Sequence, residues 1–135
     1  MKTNESAEMY LEAILILKEK QSAVRSIDVV HYTGYSKPSV SRAMGLLRQN
    51  GFITVEDSGY INLTDAGHAL ATKVVERHRV LTEFLVRIGV SEETAADDAC
   101  KIEHDLTDET FEKLKAHVAT AFNQSPRRSL PVELL

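Results

Sequence analysis

The sequence predicts a mainly α chain of 135 residues, in which three helices are followed by a short β-hairpin and then by three more helices. Three observations carry that prediction. Apolar residues recur at helical spacing in each long segment, most plainly Val40, Ala43, Met44 and Leu47 at i, i+3, i+4 and i+7. Only two short runs, FITVE and YINLT, are rich in β-formers, and the DSG between them is a turn signal. Serine or threonine precedes the helical segments and glycine closes several of them, the usual start and stop chemistry of helices.

Taken in order, SAEMYLEAILILKEKQS carries apolar residues at 10, 11, 14, 15 and 17, a helical pattern with Ser6 as its expected cap. SIDVVHYTG is the length of a short helix that starts at Ser26 and stops at Gly34. In SKPSVSRAMGLLRQNG, Ser36 is a good N-cap, Pro38 falls in the first turn where its missing N–H costs nothing, and Gly51 follows the end. After the hairpin, Thr64 opens a long periodic segment that ends at Gly89. Ser91, followed by Glu92 and Glu93, begins a further helix, and Thr107, followed by Asp108 and Glu109, begins the last. The tail, NQSPRRSLPVELL, has two prolines and no period and is expected to be extended.

Helix, turn, helix and a two-stranded wing make a winged helix-turn-helix domain, expected over residues 1–72. Residues 73–135 are expected to form an all-helical dimerisation and metal-binding domain. Their many apolar positions, among them Val80, Leu81, Phe84, Leu85, Phe111 and Val118, suit an interface as well as a core. A dimer follows, because one recognition helix reads only a half-site.

Composition excludes several classes. No uncharged apolar run approaches the roughly 18 residues a membrane span needs. The N-terminal MKTNESAEMY has glutamates where a secretory signal would be apolar, and the single cysteine excludes an internal disulfide. A cytoplasmic protein is expected. The net charge of −4 hides a polarity. Residues 21–50 hold four basic side chains against one acidic, a local +3, whereas residues 91–113 hold nine acidic against two basic, a local −7.

The basic half contains the expected DNA reader. Ser36, Lys37, Ser39, Ser41 and Arg42 offer short or cationic donors to bases and phosphates, and Pro38 can touch a thymine methyl. Arg25 and the wing around Ser58 and Gly59 are expected over flanking phosphates. Alone, these are also the residues of any well-capped, solvated helix.

The acidic half contains DDACKIEHDL. On a helix, Cys100, Glu103 and His104 at i, i+3 and i+4 share one face and offer sulfur, oxygen and nitrogen. Met9 and Glu12 share a face of the first helix, and His78 lies in the apolar part of the long one. These six candidate ligands are intermediate in softness and suit Fe(II) or Mn(II), with Zn(II), Co(II) or Ni(II) as other divalent transition metals they can hold. Each has a bland alternative: Met9 and Cys100 as packing, Glu12 as a solvated helix residue, His78 as a half-buried imidazole. Only the joint pattern points to metal.

The stretches EMYLEAI, SVSRAMGLLRQNGFI, LTDAG, RHRVLTEFL and ACKIEHDLTDE resemble the diphtheria toxin repressor family of metal-dependent bacterial regulators. That family includes iron-responsive repressors and manganese transport regulators, and the resemblance runs from about Glu8 to about Phe122. It implies a homodimeric winged-helix protein that binds double-stranded operator DNA when Fe(II) or Mn(II) is loaded, with repression of metal-uptake genes as the usual outcome. In iron-type members a methionine, cysteine, glutamate and histidine form the activating site, and these fall on Met9, Cys100, Glu103 and His104. In manganese-type members the set falls on Met9, Glu12, His78, Cys100, Glu103 and His104, with carboxylates where this chain has Met9 and Cys100. The chain is therefore a hybrid of the two. Of the iron type's second site only His78 matches, because Thr82 and Ala96 stand at the other positions. The chain also lacks the extra C-terminal SH3-like domain of long members, which makes the short, two-domain type the expected one. Replacing two carboxylates by thioether and thiolate favours softer metals, so Fe(II) is expected ahead of Mn(II).

Three other readings compete, the blandest being a purely structural dimerisation module, which ignores the polarity of charge. An enzyme would need a phosphate loop, a metalloprotease motif or a nucleophile motif, and none of these patterns is in the sequence, so no catalytic residue is assigned. A winged-helix regulator that senses an organic ligand, or a redox signal through Cys100, would explain the basic half but leave the spacing of Glu103 and His104 to chance.

Overall fold

The computed structural model describes residues 5–124 of the chain, with side chains from 6 to 120. The expectation of an extended tail falls on residues 125–135, outside the described residues. Six helices and one two-stranded antiparallel sheet follow in the order α1 (Glu5–Lys20), α2 (Ser26–Thr33), α3 (Lys37–Gln49), β1 (Ile53–Val55), β2 (Ile61–Leu63), α4 (Asp65–Arg87), α5 (Glu92–Ile102) and α6 (Asp108–Gln124). Contacts divide the chain into two compact units, with the boundary between Val74 and Val75. No described helix is long and apolar enough to cross a membrane.

In the first unit, α1 contributes Leu11 and Ile14, both fully buried. Around them close Val29 of α2, Val40, Met44 and Leu47 of α3, the strand residues Ile53 and Ile61, and Ala71 of α4. The period-3.6 stripe read from the sequence of α3 is thus its buried face. Each side chain removed fully from water contributes about 1.5–3 kcal/mol to holding the helices on the wing. Ser6 is not a cap, because α1 already includes Glu5 and Ser6 lies inside the helix.

Local chemistry sets the element ends. The backbone N–H of Arg25 donates to Asp28 Oδ2 at 2.8 Å at the start of α2, and Gly34 closes that helix with φ of 78°, which favours glycine. Ser36 Oγ accepts from the backbone N–H of Ser39 at 3.3 Å, with Pro38 in the first turn of α3 as expected. The hairpin pairs Ile53 with Leu63, Thr54 with Asn62 and Val55 with Ile61. Its inner strand is tied back to the helices: Ile61 N–H donates to Val24 O at 2.7 Å, and Lys18 Nζ donates to Asn62 Oδ1 at 2.9 Å.

In the second unit, Ser91 caps α5 through the N–H of Thr94, and Thr107 caps α6 through the N–H of Thr110 at 3.2 Å. The buried apolar cluster is small: Val80, Phe111 and Val118, with Phe84 packed against it. Ile88 stands past the end of α4 and is exposed. One boundary corrects the sequence expectation. The helix expected to carry all of Cys100, Glu103 and His104 ends at Ile102, and Glu103 is its C-cap. Glu103 keeps right-handed helical angles (φ −57°, ψ −27°) and its N–H donates to Ala99 O, so it holds the helical register for one residue more. His104 lies in the turn that follows.

Candidate metal centre and nucleic-acid interface

The second unit gathers three of the six expected ligands. Glu103 is 2 % exposed, and its side chain is wholly buried. Its Oε2 stands 3.1 Å from His78 Nδ1, reached from the middle of α4. Its Oε1 stands 3.4 Å from Nε2 of His104, whose side chain is also shut away from solvent. Among the described residues Oε1 accepts no hydrogen bond. A carboxylate taken out of water needs a countercharge or a full set of donors, and this one has two imidazoles and an oxygen left over. The two imidazoles meet opposite oxygens of one buried carboxylate, and nitrogen and oxygen donors of this kind suit a divalent transition metal.

Of the remaining expected ligands, one belongs to the second unit and two to the first. Cys100 is half-buried on the last turn of α5, one turn ahead of Glu103. Met9 and Glu12 lie on α1, in the first unit, and both are half-buried. Met9 lines a cavity of about 250 Å3 with Ser6, Tyr10, Tyr35, Ser36 and Ser39, so its thioether stands beside the start of α3. At the position of the iron type's second site, Thr82 is buried and its hydroxyl is spent on His78 O at 2.7 Å. The adjacent Glu83 stands 4.0 Å from Arg87 Nη1. The departure noted in the sequence is therefore filled by helix-internal bonds.

All six expected reader residues at the start of α3, Ser36, Lys37, Pro38, Ser39, Ser41 and Arg42, are exposed, while Val40, Met44 and Leu47 turn inward. The helix has no acidic residue in its first turn, which leaves its positive dipole end uncompensated and suited to phosphate. Ser36 Oγ also donates to Ser39 Oγ at 2.9 Å, a bond that orders the first turn before any ligand arrives. Arg25 is exposed, and its guanidinium lies 4.4 Å from the centre of the Tyr60 ring at the edge of the wing. The cation–π contact parks the charge beside the wing without consuming its N–H donors.

Arg77 escaped the sequence reading. It is 6 % exposed and donates from Nη1 to Glu103 O at 3.0 Å and to Leu106 O at 2.7 Å. The signal was present: Arg77 stands one turn before Leu81, on the stripe that includes Val80 and Phe84, where an apolar residue belongs. A charged residue on an apolar stripe announces a buried partner.

Comparison with known proteins agrees with both halves. Residues 2–61 match the family model described as iron dependent repressor, N-terminal DNA binding domain, and residues 64–128 match that described as iron dependent repressor, metal binding and dimerisation domain. An uncharacterised HTH-type transcriptional regulator of Methanocaldococcus jannaschii is 33% identical over 114 residues, covering 83% of this chain and 91% of that one. The transcriptional regulator MntR of Salmonella typhimurium is 34% identical over 107 residues, covering 79% of this chain and 68% of that one. A solved manganese-dependent transcriptional repressor in complex with manganese superposes with a TM-score of 0.76 at 29% identity, covering 84% of this chain and 52% of that one. The chain thus spans about half the length of that structure.

Proposed function

The chain belongs to the iron-dependent repressor family, that of the diphtheria toxin repressor, and from that membership we propose a metal-activated transcription regulator. It acts in the cytoplasm as a homodimer that binds double-stranded operator DNA when Fe(II) or Mn(II) is loaded, and it represses genes of metal uptake. Residues 1–72 bind DNA and residues 73–135 serve dimerisation and metal binding.

The observation that carries this reading is the buried carboxylate of Glu103 between the imidazoles of His78 and His104. Those three, with Cys100, Met9 and Glu12, are the proposed donors. A bound dication supplies the positive charge that a buried carboxylate and a thiolate need. Thioether and thiolate among the donors place Fe(II) ahead of Mn(II), and loading weakens as pH falls because the thiol must give up its proton. Lys37 and Arg42 hold phosphates, Ser36, Pro38, Ser39 and Ser41 face base edges, and Arg25 holds a flanking phosphate beside the wing. Metal controls DNA by binding the DNA-competent conformers more tightly than the others, which is the only way a ligand shifts such an equilibrium.

The test is a pair of titrations. Fe(II), anaerobically, and Mn(II) are titrated by calorimetry into metal-free protein and into a Glu103→Ala, His104→Ala variant. DNA affinity is then measured with and without metal at matched salt. Micromolar or tighter metal binding that the variant loses, together with tighter DNA binding in metal, is expected. Equal DNA affinity in both states sinks the proposal.

A further inference from the structure

Two neighbouring residues of α4 grip one residue of the loop after α5. His78 meets the carboxylate of Glu103, while Arg77 meets its backbone carbonyl. That carbonyl belongs to the peptide unit that leads into His104, so whatever holds it sets the direction of both side chains at once. Arg77 does not stop there. Its Nη1 also donates to Leu106 O, its Nη2 pairs with the carboxylate of Asp108, and its guanidinium lies 5.2 Å from the centre of the Phe111 ring. All three hydrogen-bond partners fall between residues 103 and 108, the turn that carries Glu103 and His104 and leads into α6.

We propose that Arg77 is a positioning residue for the metal centre. It sets the peptide units around Glu103 and His104 so that the carboxylate stands between both imidazoles before metal arrives. The inference rests on the metal reading above and goes beyond it by assigning a role to a residue that offers no donor of its own to a cation. The geometry requires arginine. A planar fork reaches two carbonyls from one nitrogen and a carboxylate from the other while its face rests on a ring, whereas a lysine ammonium is a point charge on a flexible stem.

A plain helix-end cap would also use an arginine on free carbonyls and would serve stability alone. The two roles differ in what they move. A positioning residue changes metal affinity and the discrimination between metals in protein that is still folded, whereas a cap changes the melting temperature and leaves the affinity of the folded form alone.

The experiment uses the full chain, metal-free, in four forms: unaltered, Arg77→Lys, His104→Ala, and the double variant. Mn(II) and, anaerobically, Fe(II) are titrated by calorimetry, with helix content checked by circular dichroism. Arg77→Lys is expected to weaken metal binding by about 10- to 100-fold at unchanged helix content, the range typical of residues that orient ligands. In the His104→Ala background the same change is expected to cost much less, because part of what Arg77 orients is already gone. Affinity within twofold of the unaltered protein, or full additivity of the two changes, overturns the inference. If Arg77→Lys does not fold, Asp108→Asn takes its place, since it removes the ionic partner at an exposed position; a several-fold loss of affinity supports the role and no loss overturns it. Failure of the unaltered protein to bind either metal overturns the metal reading itself, and the role of Arg77 with it.

Discussion

Nδ1 of His78 and Oε2 of Glu103 stand 3.1 Å apart, although 25 positions separate the two residues in the chain. No local pattern brings them together; the packing of α4 against the turn after α5 does. The contact joins an imidazole that is one-third exposed to a carboxylate that is not exposed at all, so the pair offers a cation one wet side and one dry side.

Glu103→Gln separates the function of that carboxylate from its contribution to folding. An amide keeps the shape but loses the charge that is costly to bury, so the metal-free variant is expected to melt no lower than the parent. The parent gains stability from bound metal, about 2.7 kcal/mol at one hundred times the dissociation constant, and the variant is expected to lose that gain. Thermal melts with and without Mn(II) measure both quantities. A variant that melts lower without metal but keeps the metal-induced rise would assign Glu103 to structure.

The exposed start of α3 predicts a graded loss of DNA binding. Lys37→Ala and Arg42→Ala are each expected to weaken binding to all sequences alike and to reduce the slope of log affinity against log salt by about one. Ser36→Ala is expected to cost about 1 kcal/mol of stability as well, because its hydroxyl accepts the N–H of Ser39. Fluorescence anisotropy over a salt series, beside urea melts, distinguishes the two kinds of effect.

Gly67 shows how tightly α4 begins against the wing. A Cβ at this position would fall directly onto the carbonyl oxygen of Phe52, whose partner in the fold is the N–H of Thr64. Gly67→Ala is therefore expected to destabilise the first unit by about 2 kcal/mol or more, although alanine is the better helix former. Urea midpoints of the variant and the parent check this; equal midpoints would show that the first turn of α4 moves freely.

Tyr10 carries an alkaline signature. Burial, and then the neighbouring Tyr35, push its phenol above the ordinary tyrosine value, while Arg42 pulls it back. A pKa higher in the folded than in the unfolded chain means that the folded state holds more protons in alkaline solution. That stability is complete below the ordinary value near about 10 and is lost as pH rises through the folded value. Tyr10→Phe keeps the edge contact with Tyr35, whose ring centre lies 5.7 Å away, and removes the titrating proton. Its urea midpoint is expected to fall less steeply than the parent's as pH rises above about 10, because the titrating proton is gone. Parallel curves would count against the burial of this phenol.

What the sequence by itself determined is what short-range chemistry determines. Ser36 and Ser91 cap where a hydroxyl three residues ahead of a free N–H must cap, and Gly34 ends α2 where a positive φ is needed. The stripe of Val40, Met44 and Leu47 chose the buried face of α3 and so exposed Lys37, Ser41 and Arg42. The spacing of Cys100 and Glu103 survived because the helical register runs one residue past the last full turn. Tertiary structure alone decided the rest. It buried Glu103, stood His78 against it, and turned Arg77 inward to hold the loop that carries the ligands. A hydrogen bond between residues 25 or 31 positions apart leaves no period in the sequence, because its geometry depends on how two helices pack and not on either one. The only local trace is a charged side chain on an apolar stripe, and its meaning depends on which buried acceptors the packing brings to it.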